Sequence, residues 1–179
     1  MPSRAQALKD FYSGPVWKAH REAANATMID SDNVLLLHPA TPGSGFSIGN
    51  KARPKVGSNE TQKELIMATI YYFDAPVDAG FVEFFEKTVK PDAIGSGATI
   101  LAYFVTEHSE NTFPTLPVRE GENVFVWFAH LNDAAAYERH IAALTQYPHR
   151  RDQISKELAR RLKREPEILK LSPTTRSLL

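Results

Sequence analysis

Residues 65–73 read LIMATIYYF, an unbroken run of aliphatic, β-branched and aromatic side chains with no Gly or Pro inside it. A run of that length and composition predicts a buried strand. Downstream, Asp78 is placed to cap a helix over roughly 79–90, where Phe81, Phe84, Phe85, Thr88 and Val89 recur near the 3.6-residue period. Thr99–Thr106 (TILAYFVT) and Asn123–His130 (NVFVWFAH) predict two further strands, separated by a loop with Asn111, Pro114, Pro117 and Gly121. Asn132 is expected to cap a helix carrying Tyr137, Ile141 and Leu144 on one face. Pro148 breaks that helix, and a basic helix resumes with Ile154, Leu158 and Leu162 turned inward. Glu167–Leu171 predicts a fourth strand, closed by Pro173. The order β-α-β-β-α-β is that of an α+β, ferredoxin-like unit, with helices on one sheet face and the other face needing a cover.

Upstream, the pattern is incomplete. Residues 1–28 predict a helix interrupted at Gly14-Pro15, with Leu8, Phe11 and Tyr12 on one face and Trp17, Ala24 and Met28 recurring after the break. Asp30-Ser31-Asp32-Asn33 is turn chemistry, and Val34–His38 predicts a short strand ended by Pro39. Residues 40–63 hold Pro42, Gly43, Gly45, Gly49, Pro54 and Gly57 with Lys51, Arg53 and Lys55, so they read as a linker. Val34-Leu35-Leu36-Leu37-His38-Pro39 repeats the pattern of Ile168-Leu169-Lys170-Leu171-Ser172-Pro173, and Arg4 and Leu8 match Arg139 and Leu144.

Lysine plus arginine (21) balances aspartate plus glutamate (21), which gives no general pull toward nucleic acid. The absence of cysteine removes disulfides, thiol catalysis and thiolate metal sites. No secretory leader is visible, and the longest apolar runs fall far short of the roughly 20 residues of a membrane span. The expectation is a cytoplasmic protein with no membrane span and no nucleic-acid partner.

Gly14-Pro15-Val16-Trp17, His20-Arg21, Ala24-Asn25-Ala26, Asp30-Ser31-Asp32-Asn33 and Leu35-Leu36-Leu37 resemble the end of a NIPSNAP-family domain. Leu169-Lys170-Leu171-Ser172-Pro173 with Arg176-Ser177-Leu178-Leu179 is similar to the tail of bacterial two-domain members. The resemblance implies a dimeric α/β-barrel, in which two ferredoxin-like sheets pack face to face. It implies three regions: 1–39 as the closing helix and strand of a first, incomplete domain, 40–63 as linker, and 64–179 as a complete domain. The first β-α-β-β of domain one is missing from this pattern, so Met1 is expected to be an alternative start or the mark of a truncation. Strand 34–38 must then pair with another chain or lie on the second domain.

Strand parity sorts the side chains by face. Ile66, Ala68 and Ile70 oppose Met67, Thr69, Tyr71 and Phe73; Ile100, Ala102 and Phe104 oppose Tyr103 and Val105; Val124, Val126 and Phe128 oppose Phe125 and Trp127. Assigning the aliphatic faces to the helices leaves Thr69, Tyr71, Tyr103, Phe125 and Trp127 on the barrel face. That set has the composition of a small-molecule pocket, although rings filling a sheet–sheet core are the default. His38 and His130 sit at strand ends near a barrel mouth, where a neutral-range pKa suits a general base. A solvated or hydrogen-bonded histidine is the bland alternative.

The six histidines form no H-x-x-x-H or H-E-x-x-H, and no metal or cofactor is expected. Asp30–Asn33 fails as a calcium loop, because its sixth position is Leu35 and its twelfth Thr41. Gly43-Ser44-Gly45 lacks the G-K-[ST] of a phosphate loop. Arg150–Arg164 holds seven basic and two acidic residues, the composition of a solvated helix face.

Three functions remain in view. The first is a protein binding a small apolar or aromatic ligand between sheets. The second is a cofactor-free monooxygenase-like or haem-handling enzyme, with Tyr71, Trp127 and His130 in the pocket. The third is a scaffold that self-associates through the sheet face and docks partners on the basic helix.

Overall fold

The structure, a computed structural model, describes residues 2–47, 49, 52–58, 63–146 and 148–178. Met1, Lys51, Leu179 and the 59–62 stretch of the linker lie outside the described residues, as do the side chains of His149 and Arg150. The chain divides into two compact units: the residues up to Leu36 with Glu107–Glu122, and Leu37–Thr106 with the residues from Asn123 on.

The first unit carries α1 (Pro2–Ser13) and α2 (Pro15–Ala26). Gly14 sits at their junction, where an added Cβ would come within 3.0 Å of the Asp10 carbonyl oxygen, so a side chain there would collide with the backbone. Tyr12 packs edge-on to Trp17 at 5.0 Å and stacks on Phe113 at 5.5 Å. Arg4 Nη1 donates to Asn111 Oδ1 at 3.0 Å. Backbone bonds from Arg119 N to Val34 O and from Glu107 N to Leu36 O, both 2.8 Å, tie the loop after the second predicted strand to residues 34–36. Sequence separation hid that association, since the two segments are some seventy residues apart.

The second unit is α+β, as expected. Its sheet is antiparallel, in the order β1-β3-β4-β2-β5. The strands are β1 (Leu37–Pro39), β2 (Leu65–Phe73), β3 (Thr99–Thr106), β4 (Asn123–Leu131) and β5 (Glu167–Leu171). The last four form where their composition predicts. Strand 34–38 contracts to Leu37–Pro39, which pairs with β3 of this same chain. Pro39 belongs to the strand rather than ending it, because an edge strand has one side that needs no N–H donor.

Between β2 and β3 runs one continuous helix: α3 (Ala79–Phe84), a π turn (Phe85–Val89) and α4 (Lys90–Gly95). Asp78 caps it as predicted, accepting from Phe81 N at 2.7 Å. The helix runs past residue 90 despite Pro91. A proline inside an α-helix lacks its N–H and clashes with the carbonyl four residues back; a widened turn just before it relieves that crowding. After β4, the cap is Asp133 rather than Asn132: its carboxylate accepts from Ala136 N at 2.6 Å. There follow α5 (Ala134–Thr145) and α6 (Pro148–Arg161). Ile154, Leu158 and Leu162 pack on the core as predicted.

The face assignment is corrected. The aromatic face, not the aliphatic one, meets the helices. Phe125 lies 4.7 Å from Phe85 and 5.3 Å from Phe81, and Trp127 lies 5.7 Å from Phe85. The reason is the helix's own stripe of phenylalanines, whose bulk is matched by rings across the layer rather than by Ile66, Ala68 and Ile70. A β-bulge between Ile100 and Ala102 also breaks the expected parity of β3. Ile100 pairs with Ala129 and joins the helix-side core, while Ala102 pairs with Phe128 on the far face. On that far face Phe46, from the linker, packs 5.4 Å from Phe104 and 4.9 Å from Phe128.

Candidate ligand cavity

A cavity of about 190 Å³ lies inside the second unit, between the aromatic sheet face and the helices. Tyr71 of β2 and Trp127 of β4 form its sheet wall. They are held there by ladder register, since both point to the side on which Phe125 stacks with Tyr71 at 6.4 Å. Val89, Ala93, Leu144 and Ile154 supply apolar helix walls. Asp92, His140 and Arg151 also line it, with Ile141 and Ser155.

Three groups set the electrostatics. Burial pushes the Tyr71 phenol up to about 12, with the neighbouring Trp127 indole pulling the other way. Tyr71 therefore stays a neutral phenol in ordinary buffers. The buried Trp127 indole nitrogen makes no hydrogen bond of good geometry beyond its loose approach to the Tyr71 phenol, and the buried hydroxyl of Thr69 makes none. His140 is only 2% exposed. Burial lowers its pKa, opposed by the Ser96 backbone and the charge of Asp92, so the ring is held neutral.

The predicted site residues separate. Tyr71 and Trp127 reach the cavity; Thr69, Tyr103, Phe125 and His38 are not among its lining. Phe125 is wholly buried core. The Tyr103 hydroxyl donates to Glu86 and lies 3.3 Å from Thr41 Oγ1, and burial followed by the Glu86 contact raises its pKa. His38 is exposed on the edge strand, its Nδ1 3.0 Å from the Pro39 carbonyl oxygen. His130 pairs with Ile66, on the face opposite Tyr71 and Trp127, and its Nε2 lies 3.5 Å from Glu64 Oε1. Tyr71, Trp127 and His130 therefore do not share a pocket: residues 127 and 130 are an odd number apart on one strand.

His140 is the residue that sequence reasoning missed. It sits on the inward face of α5 with Ala136 and Tyr137, whereas Ile141, expected inward, is 38% exposed. An apolar-only search for the helical period skips a buried histidine. The signal lay in its spacing of three from Tyr137 and four from Leu144.

The basic helix uses much of its charge internally. Arg160 and Arg161 bind Glu157, holding its carboxyl down at about 2. The Arg164 guanidinium lies 3.6 Å from the Tyr72 ring centre. Among the described residues no helix is long and apolar enough to cross a membrane, and no cluster of three or more metal-ligating side chains occurs. Comparison with protein-family models, with curated proteins and with solved structures gave no match.

Proposed function

We propose that the second unit is a ferredoxin-like, NIPSNAP-like domain that binds a small apolar or aromatic molecule. The binding site in this reading is the cavity against Tyr71 and Trp127, on the helix side of the sheet. The strand order β3-β4-β2-β5, with helices after β2 and after β4, supports the fold part of the reading. The observation that carries the ligand part is a ring-walled cavity of about 190 Å³ against Tyr71 and Trp127. An apolar cavity of roughly 150 Å³ already holds a benzene-sized molecule. In the same reading the far face, with Phe46, Phe128, Leu169 and Leu171, pairs with a second copy to close the barrel.

The test is titration of the chain with toluene and p-cresol. Trp127 fluorescence would be followed in a Trp17→Phe background, with ligand-observed NMR alongside. Saturable binding that disappears when Ala93→Leu or Leu144→Phe fills the cavity supports the reading. Absence of saturable binding up to the solubility limit, or binding indifferent to both substitutions, overturns it.

A further inference from the structure

Two groups at this cavity are of opposite hydrogen-bonding sense. One is the Trp127 indole N–H, a donor. The other emerges from the surroundings of His140. Its Nδ1 lies 2.9 Å from Ser96 Oγ and 3.3 Å from the Ser96 carbonyl oxygen. A carbonyl only accepts, so Nδ1 carries the proton. The Ser96 hydroxyl proton is committed elsewhere, to the carbonyl oxygens of Asp92 at 2.9 Å and Ala93 at 3.0 Å. Its oxygen is thus left to accept from His140. A neutral imidazole with its proton on Nδ1 keeps its lone pair on Nε2. That nitrogen has no partner among the described residues. The turn at the end of α4 therefore fixes the tautomer of a side chain on α5.

The charges around the cavity narrow the ligand further. Asp92 and Arg151 both line it. Their opposite signs favour neither a net anion nor a net cation. The remaining walls are apolar or aromatic, and the volume suits one ring with one or two small substituents.

The geometry points to a small neutral phenol as the ligand of this cavity, its O–H donated to His140 Nε2 and its ring laid against Tyr71 and Trp127. This rests on the reading of the cavity as a ligand site. It adds the chemical class of the ligand and the residue that selects it. The phenol differs from an ordinary apolar guest by one donor, and His140 is the acceptor that rewards that donor.

The experiment compares p-cresol with toluene, which has nearly the same shape and no O–H, on the full chain by ligand-observed NMR. Binding of p-cresol about tenfold tighter than toluene is expected, the scale of one buried hydrogen bond. His140→Phe should erase that preference while toluene still binds. Histidine ¹⁵N spectra of the unsubstituted chain give a second readout that does not depend on any variant folding. They should show His140 protonated at Nδ1 and its Nε2 resonance moving on addition of p-cresol. Equal affinity for the two probes, or a proton on Nε2, overturns the phenol assignment and leaves cavity binding standing. Failure of both probes to bind overturns the cavity reading itself, and the phenol assignment with it.

Discussion

On the helix side of the sheet, Tyr71, Tyr103, Phe125 and Trp127 meet Phe81 and Phe85. On the far side, the aliphatic Ile66, Ala68, Ile70, Val124 and Val126 are just as buried, beside a smaller ring cluster of Phe46, Phe104 and Phe128. Both faces remove apolar surface from water, and by that measure they contribute alike. They differ in adaptability. Aliphatic chains choose among rotamers and close small gaps, while planar rings with two torsions leave voids where their edges do not mesh. The cavity lies on the ring side, against Tyr71 and Trp127. The comparison teaches that neither face is completely filled: rings meeting helices leave a cavity of about 190 Å³, while the far face leaves a hollow of about 470 Å³ between Phe46, Ile66, Phe128 and Leu171 and the residues that follow the last strand.

Breaking the ring side should have the largest effect. Phe85 is wholly buried and touches the rings of Tyr103, Phe125 and Trp127. Phe85→Ala is expected to cost about 3–5 kcal/mol of unfolding free energy, read from urea denaturation. Overfilling the far face comes next. Ala68 is 3% exposed there, and Ala68→Leu should destabilise by about 1–3 kcal/mol, visible as a lower denaturation midpoint at unchanged slope. Outside both faces, Asp78→Ala removes the helix cap and should cost about 1 kcal/mol in the same assay.

The comparison is sharpest when the same enlargement is made on the ring side. Ala93→Leu extends into the cavity and should be neutral or stabilising by about 0.5–1 kcal/mol, opposite in sign to Ala68→Leu. Two destabilisations of equal size would show that the ring side is filled after all. The smallest effect concerns acid. Burial holds His140 below its ordinary 6.5, so the unfolded chain takes up the proton first as pH falls. Its contribution to stability is present above about pH 6.5 and is lost as pH drops below that value toward the folded pKa. His140→Phe should flatten that part of a stability–pH curve measured by thermal melting.

Much of this architecture was legible in the chain. Runs such as LIMATIYYF and TILAYFVT are bounded by turn residues and fix strands β2 and β3 without help from the rest of the molecule. Alternation told which residues share a face, but it carries no information about which face a helix will cover. That depended on ring meeting ring across the layer. The bulge after Ile100 was invisible for a related reason: an extra residue changes pairing without changing composition. Tyr71 and Trp127 stood out from strand composition, and both line the cavity, though on the helix side and not on the barrel face expected of them. His140 with Ser96 did not stand out, because a buried polar residue looks like a solvent position until its partner forty-four residues away is in place.

The π turn at Phe85–Val89 has one more consequence. Phe81, Phe85, Val89 and Ala93 are all buried, at strict intervals of four. In a regular α-helix a step of four overshoots one turn by about 40°, so three such steps would carry the stripe about 120° around the axis. One underwound turn absorbs much of that drift. The π turn is thus a phase corrector. It lets the helix that begins against Phe73 and Phe125 still present Ala93 to the cavity about three turns later. Deleting a single residue from Phe85–Val89 should restore ordinary winding at nearly the same phase, because eleven steps of about 100° make three turns and about 20°, so Asp92 and Ala93 should stay on the cavity wall and the Asp78 cap should be untouched.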